Sequence, residues 1–180
     1  MKKVIAEREV FKTSIFTIKE IDLKLKNGKK VTFSLVEKKD SSLIVPITED
    51  GKLILIKEYF AAIDDCQLSL PKGRVDSGNP LEAANRELQE EIGYKSGELI
   101  RLGTLIVSPG NTRHKTHVYL ARKLVKSKLP GDEDEEIELL KIPFDNFEKF
   151  IDKKQLTEAR VIASLYLARR YMKSRRKVLK

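Results

Sequence analysis

Glu87, Glu90 and Glu91 stand at i, i+3 and i+4 in the run Arg86-Glu87-Leu88-Gln89-Glu90-Glu91-Ile92-Gly93. On a helix that spacing gathers three carboxylates on one face. Leu81, Ala84, Leu88 and Ile92 recur at spacings of three and four and give the same helix an apolar face. Pro80 suits a first helical turn and Gly93 a stop, so the predicted helix covers 80–91. Such a helix must lie on a core along one side and concentrate negative charge along the other. Like charges on one face repel, and a cation among them removes the cost. Mg²⁺ and Mn²⁺ take oxygen ligands, which carboxylates supply. Arg86 is placed to hold one carboxylate by a charge-assisted hydrogen bond. A solvated acidic face is the plainer reading of three glutamates taken alone. Ahead of the helix runs Leu70-Pro71-Lys72-Gly73-Arg74-Val75-Asp76-Ser77-Gly78-Asn79-Pro80. A glycine-punctuated loop of this kind brings backbone close to phosphate or metal.

Strands surround this helix. Ile21, Leu23 and Leu25 alternate with polar residues, as do Val31, Phe33 and Leu35, and Lys26-Asn27-Gly28-Lys29 lies between them. Asn-Gly suits a two-residue hairpin turn in which both positions take positive φ. Further strands are predicted at 42–47, 53–56, 101–107, 116–121 and 137–142, a short helix at 145–152 and a long one at 157–172. Val161, Leu165, Ala168 and Met172 share one side of the last. The pattern is a mixed α/β domain with a sheet core, one helix in the middle and one at the end.

At 180 residues the chain has the length of about one domain, and 41% hydrophobic residues suffice for a core. It has no apolar stretch of about 20 residues that would span a bilayer. Charges interrupt the basic start before a signal-peptide core can form, and a cytoplasmic location is expected. Cys66 is the one cysteine and reads as a core or surface thiol, since no Cys-His motif accompanies it. The net charge of +9 favours phosphates, on nucleotides or on nucleic acid. Much of the excess lies in Arg169, Arg170, Lys173, Arg175, Arg176, Lys177 and Lys180, which also reads as a solvated helix end.

Taken together, residues 73–94 resemble the Nudix box, a glycine loop followed by Arg-Glu-apolar-x-Glu-Glu-x-Gly-apolar, matched by Arg86, Glu87, Leu88, Glu90, Glu91, Gly93 and Tyr94. The family pattern has a glutamate six residues after the loop glycine and an arginine eight residues later. Here Asn79 holds the glutamate's place and the stretch from Gly73 to Arg86 is one residue shorter. Glu82, four residues before Arg86, is a partial substitute or a surface ion-pair partner. The resemblance implies the Nudix fold, an α/β/α sandwich with an N-terminal β-hairpin. It divides the chain into a hairpin region, 1–40, that packs or exchanges between subunits of a homodimer, and a hydrolase domain, 41–180.

Outside the box the chain resembles the Nudix branch that hydrolyses ADP-ribose and related ADP compounds. The stretches that carry this are Ser108-Pro109-Gly110, the acidic run from Asp132 to Glu136 after Leu129-Pro130-Gly131, and Thr157-Glu158-Ala159-Arg160. In that branch an acidic loop supplies the catalytic glutamate, which makes Glu133 and Glu135 the candidates here and Glu136 the third. The resemblance implies that Glu87, Glu90 and Glu91, with the carbonyl of Lys72, hold Mg²⁺ or Mn²⁺, while Arg86 and Gly73 orient the site. The ions clamp a diphosphate and activate water, and a loop glutamate takes or steers the proton. ADP-ribose would give AMP and ribose 5-phosphate.

Many members of the branch carry a phosphate-binding arginine where this chain has Phe60. Tyr59 and Phe60 are candidates for stacking on adenine, with core packing as the alternative. Arg113, His114 and Lys115 are within the compass of a phosphate, with exposed loop charge as the alternative. His114 and His117 read as loop and strand residues rather than a metal pair. Two other functions stay open: an RNA-end or dinucleoside polyphosphate pyrophosphohydrolase, with the basic tail holding RNA, and a Nudix-shaped module that binds a nucleotide without cutting it.

Overall fold

The computed structural model describes residues 3–76, 78–131 and 137–178, with side chains described as far as Arg175. The first elements are β1 (Lys3–Lys12), β2 (Thr17–Lys24), β3 (Lys30–Glu37), β4 (Ser41–Pro46), β5 (Lys52–Phe60), β6 (Asp65–Ser69) and β7 (Lys72–Arg74). Helix α1 (Pro80–Glu91) follows, then β8 (Tyr94–Ile106), β9 (Thr112–Arg113), β10 (Lys115–Lys126) and β11 (Glu138–Pro143). After a 3-10 turn at Phe144–Asn146 come α2 (Phe147–Asp152) and α3 (Ala159–Val178). The chain forms two compact units, residues 1–40 with 106–115, and residues 41–105 with 116–180.

The first unit is a sheet in the order β1-β2-β3-β9. The hairpin expected around Asn27-Gly28 joins β2 to β3, with Lys24 opposite Lys30. Its turn differs from the two-residue form. Within it only Gly28 has positive φ, +81°; the Gly28 N–H bonds Leu25 O at 3.0 Å and the Leu25 N–H bonds Lys29 O at 2.8 Å. This is a type I turn closed by a left-handed glycine, a three-residue loop that also matches the strand twist. Strand β1 was not expected. Every one of its residues is exposed, so it has no burial alternation to read. It is held by antiparallel pairing along β2 and by cross-strand charges, among them Arg8 with Asp22 at 2.9 Å and Lys19 with Glu7 at 3.0 Å.

The second unit contains two sheets, β7-β4-β10-β8 and β11-β5-β6. Period-2 alternation sorts their side chains into two cores. Leu43 and Val45 of β4, Leu53 and Leu55 of β5 and Leu120 of β10 pack with Val161, Leu165 and Ala168 of α3. Their alternates Ile44, Ile54, Ile56, Tyr119 and Ala121 pack with Ala84 and Leu88 of α1 and with Ile92 at its end. Each fully buried Leu, Ile or Val contributes about 1.5–3 kcal/mol of transfer free energy. Helices therefore cover both faces, the helix–sheet–helix layering expected of the chain. No helix among the described residues is long and apolar enough to cross a membrane.

Two expectations need correction. Leu81 is 46% exposed, although it shares the helical spacing of Ala84 and Leu88. The buried residues of α1 are Ala83, Ala84, Glu87, Leu88 and Glu91, so the buried arc extends onto the glutamate side, while Leu81 and Glu82 at the start of the helix face out. Strand β8 begins at Tyr94, directly after the Gly93 stop, rather than near 101.

Candidate active site

Helix α1 is locally well specified. Asn79 is its N-cap, and its side-chain oxygen accepts from the N–H groups of Leu81 at 3.1 Å and Glu82 at 3.4 Å. Asn79 thus stands in the place of the box glutamate as a cap, satisfying donors that a helix start leaves open. At the other end Ile92 caps the helix and Gly93 turns the chain at φ +73° into β8, the left-handed stop that glycine makes without steric cost.

The three glutamates are brought together, and they are not a solvated face. Glu87 is 6% exposed and Glu91 8%. Arg86 forks between them and the loop: one guanidinium nitrogen pairs with Glu90, the other with Glu87, and the second also donates to Arg74 O at 3.4 Å. The Lys72 backbone N–H donates to Glu91 Oε2 at 3.0 Å. Burial pushes the Glu91 carboxyl up to about 8, against the pull of the nearby Lys72 charge and with a further push from Glu87.

Gly73 explains how the loop and the helix fit. A methyl group on its Cα would overlap the Glu87 carboxylate, so only glycine lets the backbone lie this close. Among the described residues no group of three acidic, histidine or cysteine side chains converges on one point; Arg86 bridges Glu87 and Glu90, and the loop backbone holds Glu91. The donor chemistry nevertheless suits a hard divalent cation. Carboxylate oxygens from one helix face a glycine loop that admits no side chain between them.

Beside Arg86 an open cleft of about 280 Å³ is lined by Arg74, Asp76, Glu82, Ala83 and Arg86. Residues just ahead of the acidic run are fastened to α1: Ser127 Oγ donates to Gln89 Oε1 at 2.9 Å and the Leu129 N–H to Gln89 O at 3.2 Å. Glu133, Glu135 and Glu136 lie outside the described residues.

The other candidates separate by strand parity. Tyr59 is 58% exposed and its hydroxyl donates to Asp64 Oδ1 at 2.6 Å, so it is not a core residue. Phe60, on the alternate face of β5 with Ile54 and Ile56, is half-buried under the Lys72 ammonium, 5.3 Å from its ring centroid. Arg113 belongs to the first unit, where it pairs with Glu37 at 2.7 Å and Glu7 at 3.0 Å. His114 Nδ1 meets Lys39 O at 2.8 Å, and His117 Nδ1 meets Thr104 Oγ1 at 3.4 Å. Glu82 is exposed, and Cys66 is exposed and free. Glu58 and Ser69 escaped the sequence reading. Both meet Lys72 Nζ, and the parity of Ile54 and Ile56 was the signal that put Glu58 on the α1 side of β5.

The family model of the NUDIX domain matches residues 37–165. The chain is 31% identical over 172 residues to the ADP compounds hydrolase NudE of Escherichia coli (strain K12), covering 94% of this chain and 92% of that protein. It is 27% identical over 162 residues to the ADP-ribose pyrophosphatase of Bacillus subtilis (strain 168), covering 88% of each. A crystal structure of an ADP compounds hydrolase superposes with a TM-score of 0.88 at 30% identity, over 97% of this chain and 95% of that one. With a buried carboxylate helix locked to its glycine loop and a family match over most of its length, this chain belongs to the Nudix family.

Proposed function

We propose that the chain hydrolyses the diphosphate linkage of nucleoside diphosphate derivatives, ADP-ribose foremost, giving AMP and ribose 5-phosphate. The observation that carries this is the close seat of Gly73 on the Glu87 carboxylate beside buried Glu91. A buried acidic cluster against bare loop backbone is costly unless it serves a cation. The similarity to an ADP compounds hydrolase and an ADP-ribose pyrophosphatase supports the substrate class.

Glu87, Glu90 and Glu91, with the Lys72 carbonyl, would hold Mg²⁺ or Mn²⁺. A bound divalent ion supplies positive charge against the diphosphate oxygens and acidifies water. Arg86 keeps Glu87 and Glu90 in place and ties them to the loop at Arg74. Glu133 or Glu135 accepts the proton of the attacking water, whose oxygen joins one phosphorus as the bridging P–O bond breaks. Phe60 is the better placed of the two aromatic candidates, since it shares the α1 side of β5.

A homodimer in the cytoplasm is part of the same proposal. The exposed Val4, Ile5, Val10 and Phe11 of β1 support the dimer, as apolar surface that a partner would cover. Light scattering at a monomer mass would remove it.

The test is a substrate panel with Mg²⁺, read by chromatography. Metal-dependent cleavage of ADP-ribose to AMP and ribose 5-phosphate is expected. Cleavage only of capped or triphosphate-ended RNA would transfer the function to RNA ends, and binding without cleavage would make the chain a sensor. Full metal-dependent activity in Glu91→Gln would remove the assigned ligand set.

A further inference from the structure

Lys72 acts at two places. Its backbone N–H holds Glu91 Oε2 at 3.0 Å. Its ammonium turns toward β5 and β6, pairs with Glu58, approaches Ser69 Oγ at 3.3 Å and lies 5.3 Å from the centroid of the Phe60 ring. The Lys72 side chain is 14% exposed, whereas that of Glu58 is 35% exposed. A lysine ammonium is a compact, strongly hydrated charge, and a largely buried one needs a partner of opposite sign. Glu58 provides it, and the phenyl face adds a cation–π contact.

This cation is one residue from Gly73, the point where the loop touches Glu87. Its charge pulls on the Glu91 carboxyl, so it flanks the carboxylate face that the proposed function gives to the diphosphate. A phosphate oxygen offers the ammonium the same kind of anionic acceptor as Glu58 does. With three donors the ammonium can change one partner and keep Ser69. Glu58, the more exposed of the pair, can return to water.

We propose that the Lys72 ammonium binds a phosphate oxygen of the substrate diphosphate, exchanging Glu58 for it. Glu58 is then a positioning residue that holds the lysine ready and competes with the substrate. The assignment rests on the chain being a diphosphate hydrolase, and the two ideas fail differently.

The probe is α,β-methylene ADP with Mg²⁺, titrated by calorimetry into the full chain, alongside Mn²⁺ binding alone followed by electron paramagnetic resonance. Lys72→Met is expected to weaken analogue binding about 10- to 100-fold, the worth of a charged hydrogen bond, with no fall in Mn²⁺ affinity. Lys72→Arg restores part of the loss, and Glu58→Gln binds the analogue as tightly as the wild type or more so. Thermal melting accompanies each variant, with Lys72→Gln replacing Lys72→Met if the latter does not fold. Wild-type affinity in Lys72→Met would overturn the assignment. So would an equal loss in Glu58→Gln, because the ion pair would then only brace the loop. If the wild type takes up neither Mn²⁺ nor the analogue, the proposed function falls and takes this contact with it.

Discussion

The Cα of Gly73 faces the Glu87 carboxylate with no room for a methyl group between them. Gly73→Ala forces either the loop backbone or a buried carboxylate to move. Overpacking of this kind costs about 1–3 kcal/mol, and a displaced ligand costs more in rate than in stability. We expect a lower melting temperature and a fall in kcat/KM of at least about 100-fold, since small misplacements at a reacting site have that effect. Gly110→Ala is the control: open space surrounds it and its φ is ordinary, so its stability should change by less than about 0.5 kcal/mol. Equal behaviour of the two variants would mean that the Gly73 contact does not constrain the site.

Glu91 couples metal uptake to pH. Its carboxyl is raised from 4.5 to about 8, with burial as the first cause. For an acid raised in this way, the protonated buried form is favoured. Stability is fully present below pH 4.5, and declines as pH climbs through about 8 and ionisation is forced on a buried group. A divalent ion requires the ionised form, so binding at pH 7 should release about one proton and tighten roughly tenfold per pH unit below 8. Calorimetry of Mg²⁺ binding in two buffers of different ionisation enthalpy reads the proton count directly. Identical heats in both would show that Glu91 is already ionised.

Asn79 works as a helix cap, so its replacement should be felt in folding more than in chemistry. Asn79→Ala removes the acceptor for the Leu81 and Glu82 N–H groups, a loss of about 1 kcal/mol. Asn79→Asp keeps the acceptor and adds negative charge at the positive end of α1, which should hold or slightly raise stability. Urea melts of the two variants distinguish a cap from a residue that touches the ion. In the second case Asn79→Asp would alter metal affinity and leave the urea midpoint alone.

The legible parts of this molecule were those that repeat along the chain. Glu87, Glu90 and Glu91 and the Val161, Leu165, Ala168 stripe follow from helical period alone, the Gly93 stop follows from glycine's freedom at positive φ, and burial bears out each residue of the stripe. Strand β1 was illegible because none of its residues is buried and no alternation survives in KVIAEREVFK. Asn27-Gly28 marks the position of the turn but not its type, because a dipeptide does not say whether its first residue also turns left-handed. Contacts between distant residues, such as Lys72 with Glu58 and Gly73 with Glu87, left no local trace. Each depends on how a loop is laid against a strand or helix, which is decided by packing.

Arg113 lies in the first unit between two carboxylates, and its removal should be read there. Its guanidinium is the first cause that holds the Glu7 carboxyl down at about 2, and Lys19 is the second. Glu37 is lowered by the same two cations, Lys19 leading. A depressed carboxylate contributes stability that is present above its ordinary value of 4.5 and is lost as pH falls through about 2. Solvent screens these exposed pairs, so the contribution is modest. In Arg113→Ala the lost cation lets Glu7 and Glu37 take up protons at higher pH, and Lys19 alone must balance both. We expect amide exchange in β1, β2 and β3 to be modestly faster than in the wild type at pH 7, where the lost stabilisation is fully present, and the difference to shrink as pH falls from 4.5 towards about 2, with KM for ADP-ribose within about twofold of the wild-type value, as befits a guanidinium occupied by structure. A KM raised tenfold or more with unchanged exchange would reassign Arg113 to the substrate.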